Sequence, residues 1–131
     1  MQVRVLAMLL ASVLAACSIS EFLPSLSPEN VAGPEPAYRF IIANRIKDIV
    51  GDPAGAGTLQ ISTARRVDSF KGASWLVCIK TERFPLPRYY AVFIQRDRIV
   101  DSRLSVVIDQ CELQSFASFD WLADSDKPPA R

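Results

Sequence analysis

Residues 74–81 (SWLVCIKT) and 88–95 (RYYAVFIQ) both repeat with a period of two, and a chain that carries them close together must build a sheet. Trp75, Val77 and Ile79 share one side of the first stretch, with Leu76, Cys78 and Lys80 on the other. In the second, Tyr89, Ala91 and Phe93 oppose Tyr90, Val92 and Ile94. Ahead of them Leu59, Ile61 and Thr63 alternate with Gln60 and Ser62. Beyond the polar turn Arg96-Asp97-Arg98 the chain returns through Ile99 and Val100, then runs as RLSVVID toward Cys111. Four strands joined by short polar turns predict an antiparallel meander.

Something must cover the sheet, and residues 36–50 supply it. Tyr38, Ile41, Ile42, Ile46, Ile49 and Val50 fall on a single helical stripe, while Arg39, Lys47 and Asp48 fall away from it. Pro36 suits a first turn, and Gly51 followed by Asp52-Pro53 ends the helix. The fold class is therefore α+β, with one N-terminal helix packed on a roughly four-stranded meander over residues 37–122. Phe116, Phe119, Trp121 and Leu122 close the far side of the core or, together with Tyr89 and Tyr90, form an interaction surface. Residues 123–131 read as a polar tail.

The first residues decide the compartment. Arg4 is the only charge before Glu21, and residues 5–16 form an apolar run broken only by Ser12. The run is shorter than the roughly 20 apolar residues that a membrane-crossing helix needs. A basic start, a short apolar centre and small residues at the end describe a secretory signal. Its last residues, Leu14-Ala15-Ala16-Cys17, resemble the bacterial lipobox. That resemblance implies a signal peptide over 1–16, cleavage before Cys17, and a diacylglycerol and fatty acyl group carried covalently on Cys17. Several acyl chains hold a protein to a bilayer far more firmly than one. Ser18, where an aspartate would retain a lipoprotein in the inner membrane of a Gram-negative cell, implies the inner leaflet of the outer membrane, facing the periplasm. Residues 17–36, rich in proline and serine, read as the lipidated cysteine and a tether.

Of three cysteines, the lipobox takes Cys17 and leaves Cys78 and Cys111 to pair in an oxidising compartment. Cys78 as a nucleophile would need a base, and the chain has no histidine. No Cys-x-x-Cys and no calcium-loop spacing of carboxylates is present, so neither a metal nor a catalytic centre is expected. Loss of Arg4 with the signal leaves basic and acidic side chains balanced, which removes any general pull toward nucleic acid. Residues 51–58 (GDPAGAGT) lack the lysine of a phosphate-binding loop and follow a helix instead of a strand; they read as a helix stop and a flexible loop. Arg83, Phe84, Arg88, Tyr89 and Tyr90 mix basic and aromatic residues around Pro85 and Pro87, which shape a hairpin loop. Arg65-Arg66 reads as a solvated loop.

With its helix followed by SWLVCIKT, YYAVF and VVIDQC, the stretch 36–111 resembles small predicted lipoproteins of alphaproteobacteria. The resemblance supports the envelope compartment and the Cys78–Cys111 pairing, and implies no catalytic residues. The function expected is that of a non-enzymatic interaction or accessory module, held to the membrane by its lipid and meeting an envelope protein there. A second reading is a small-ligand, glycan or inhibitor-type binding module using the face around Tyr89 and Tyr90. A third, a glycan hydrolase, requires two carboxylates facing each other about 5–9.5 Å apart.

Overall fold

The computed structural model describes residues 31–83 and 85–130. The expected helix is present but divided at Arg45 into α1 (Tyr38–Asn44) and α2 (Ile46–Val50). The Arg45 N–H reaches back only three residues, to the Ile42 carbonyl, so one turn tightens and the stripe carries on across the break. Ile42, Ile46 and Ile49 are buried, with Tyr38, Ile41 and Val50 packed at their margin. Gly51, at φ +81°, closes α2 by donating to the Lys47 carbonyl, in a conformation that side chains resist. The loop after it is packed: Pro53 and Ala56 are buried.

Six strands follow: β1 (Leu59–Ser62), β2 (Arg65–Ser69), β3 (Gly72–Thr81), β4 (Arg88–Gln95), β5 (Arg98–Leu104) and β6 (Phe116–Ser118). All pairings are antiparallel. β3 is the centre. One of its edges pairs with β4, and the other pairs with both β1, opposite Ile79–Thr81, and β2, opposite Gly72–Leu76. β1 and β2 thus behave as one strand interrupted at Thr63-Ala64.

Five expectations are corrected here. The sheet has six strands, and helices flank the strand region on both sides where a single N-terminal one was expected. Arg65-Arg66 is strand, not loop: Arg65, Val67 and Ser69 alternate in burial with Arg66 and Asp68, and Arg66 lies 4.9 Å from the centre of the Trp75 ring. The meander is also incomplete, because the order β5-β4-β3-β1-β6 places the last strand at the edge farthest from β5. Residues 123–125 belong to a helix, α3 (Trp121–Ser125), capped by Asp120 and tied to α1 by an Arg39–Asp124 ion pair of 2.8 Å. Residues 31–36, read as tether, lie against the domain, with Ala32, Gly33 and Pro36 buried.

The route from β5 to β6 has a physical reason. Alternation on β3 and β4 gives the sheet two apolar faces. The helices cover one, burying Val77, Ile79, Val92 and Ile94. Leu76, Cys78, Ala91 and Phe93 face the other way and would be wet without a second layer. Residues 105–115 cross that face as a strap, in two short 3-10 turns at Val107–Asp109 and Cys111–Leu113. Among the described residues, no helix is long and apolar enough to cross a membrane.

Candidate docking surface

The strap is pinned at two points. A disulfide joins Cys111 to Cys78 on β3, and neither cysteine is more than 1% exposed. Asp109, 4% exposed, is the second pin. Its carboxylate accepts from both terminal nitrogens of the Arg103 guanidinium, at 2.5 and 2.9 Å, and from the Val106 N–H at 2.8 Å. Its carbonyl accepts from the Arg65 guanidinium. Arg103 in turn covers the Phe93 ring, 5.0 Å from its centre. The hydrogen bond to Asp109 raises the Arg103 pKa further above its ordinary value, against a smaller lowering by partial burial.

Because Asp109 and Cys111 occupy the inward positions of the two turns, their neighbours point outward. Val107 is 95% exposed, Ile108 82% and Leu113 79%. Leu104 and Val106 are also exposed. A depression of about 430 Å³ lies among Ser105, Val107, Gln110 and Leu113. A second, of about 250 Å³, runs from Ile108 to Phe70 in the β2–β3 turn and is floored by Leu76 and Phe93. Isolated exposed apolar residues are ordinary, whereas several on one rigid segment define a patch.

The aromatic residues singled out in the sequence do not join this patch or form one of their own. Phe119 is buried in the helix-side core, 5.5 Å from the Arg39 guanidinium. Tyr90 and Trp121 pack against the same core. Tyr89 and Phe116 lie on the strap side, their rings 5.8 Å apart. Adjacent residues of a strand face opposite ways, which separates Tyr89 from Tyr90. Asp109 and the Val106–Ile108 run went unmarked as functional residues. No local pattern marks them, because the run reads as a continuing strand and its exposure is set by the pins at Asp109 and Cys111.

Cys17 and its proposed lipid lie outside the described residues. Among the described residues, no group of three or more histidine, cysteine, aspartate or glutamate side chains is placed to hold a metal ion. No protein-family model matches the chain, nor does any curated protein or solved structure.

Proposed function

We propose that this is a lipid-anchored protein of the cell envelope, non-enzymatic, whose domain docks an envelope protein partner at the membrane surface. The observation that carries the reading is the strap, which holds Val107 and Leu113 in water on a segment fixed by a disulfide and a buried carboxylate. A preordered apolar surface binds with less loss of conformational entropy than a mobile one. Anchoring at Cys17 confines the search for a partner to the bilayer surface.

The test is photo-crosslinking in cells from position 107, with position 122 as the control. Leu122 is also exposed, but it sits on α3, away from the strap. The expected outcome is a discrete protein adduct from 107 and none from 122. The adduct should disappear when Leu113→Lys is introduced. That substitution, at an exposed position, should change stability by no more than about 0.5 kcal/mol. Equal labelling from both positions, or an adduct indifferent to Leu113→Lys, would refute the docking role.

A further inference from the structure

The β2–β3 turn consists of Phe70 and Lys71, and Phe70 is 101% exposed. We infer that this turn dips into the phospholipid headgroup region and sets how the domain stands on the bilayer. The inference rests on the anchor proposed above for its geometry.

What places the turn at the membrane is the point where the chain from the anchor reaches the domain. The position that a Cβ would take on Gly72 is 3.8 Å from Cγ1 of Val31. The Ala32 carbonyl accepts from Arg96 in the β4–β5 turn at 3.1 Å. The Gly33 carbonyl accepts from the Trp75 indole at 3.1 Å and from Arg66 at 3.0 Å. Residues 31–33 are therefore fixed to the same end of the sheet that carries Phe70. Val31 lies fourteen positions after Cys17, a stretch that fully extended spans at most about 50 Å. The chain from the anchor therefore enters the folded domain at this end.

The chemistry of the turn suits that place. An aromatic ring beside a lysine buries its apolar face at the acyl boundary while the ammonium stays among the phosphates. Ile108 faces Phe70 across the smaller depression and widens the apolar tip. A two-residue convex turn also offers far less than the roughly 800 Å² per partner of a stable protein interface, whereas a bilayer needs no matching pocket. With this end down, the strap is held beside the membrane, where its partner would be met.

The experiment uses Phe70→Trp and Leu122→Trp in the full processed chain, purified from membranes and placed in phosphatidylethanolamine–phosphatidylglycerol vesicles with or without brominated lipid. Intact mass first establishes acylation, and equal thermal midpoints establish that both variants are folded. After subtraction of the unsubstituted protein, the residue-70 emission should move to shorter wavelength and lose most of its intensity to brominated lipid. The residue-122 emission should do neither. A residue-70 signal that stays at its aqueous wavelength and is unquenched overturns the inference and leaves the anchor standing. If the mass carries no acyl groups, the anchor reading fails by itself. The unacylated chain is then mixed with the same vesicles: binding abolished by Phe70→Ser still supports the turn, and no binding overturns it.

Discussion

Replacing Cys78 and Cys111 together by alanine is expected to lower stability by about 3–4 kcal/mol, the loop-closure value for a bridge of this span. The cysteines stand 33 positions apart, so the bridge removes many conformations from the unfolded chain. Domains of this size are stable by only about 5–15 kcal/mol, so the loss is a large fraction of the whole. Urea unfolding measures it directly. The damage should also be uneven. Amide exchange should rise most across residues 106–113, because the strap loses its attachment to β3, while the buried Val77, Ile79 and Val92 lose only the protection that the lowered global stability takes from them. An unchanged urea midpoint would mean that the strap holds without its covalent pin.

The second large effect belongs to Asp109→Ala, at about 2–3 kcal/mol. Truncation leaves the Val106 N–H without its acceptor and releases Arg103 from a bidentate pair. Arg103 is 37% exposed and recovers part of its solvation from water, which keeps the cost below that of a fully buried pair. Asp109→Asn, which keeps an acceptor but loses the charge, should cost about half as much. In a double-mutant cycle with Arg103→Met, the two losses should fall short of additive, because each removes the same contact. The pH dependence follows from the sign of the shift at Arg103. A raised pKa favours the folded state from neutral pH up to the ordinary guanidinium value and fades only above it, so this contribution should persist through the alkaline range. A coupling of zero in the cycle, read from chemical denaturation, would contradict the pinning role.

Much of the architecture was readable from periodicity. The faces of β3 and β4 follow the alternation residue by residue, and the helical stripe matches the buried isoleucines. Long apolar patterns persist because the same side chains that define them make the core. The parts that escaped are short or polar. β2 contains Arg65, Arg66 and Asp68, whose placement is decided by cross-strand partners and not by propensity. β6 is three residues long and exists because β1 offers an open edge. The strap escaped for another reason: RLSVVID looks like a strand that continues, and only the buried Asp109 and the bridge at Cys111 turn it across the sheet. Its exposed face is thus a tertiary property, invisible to any local pattern. Residues 31–33 were absorbed into the tether because their burial depends on Trp75 and Arg96, far along the chain.

The account joins an acylated start to a disulfide-pinned domain, and intact mass spectrometry of protein recovered from membranes addresses both at once. The account predicts a chain that begins at Cys17, heavier by a diacylglycerol and fatty acyl groups, whose two other cysteines take up alkylating agent only after reduction. A chain that keeps residues 1–16, carries no lipid and reacts with the alkylating agent before reduction would contradict it.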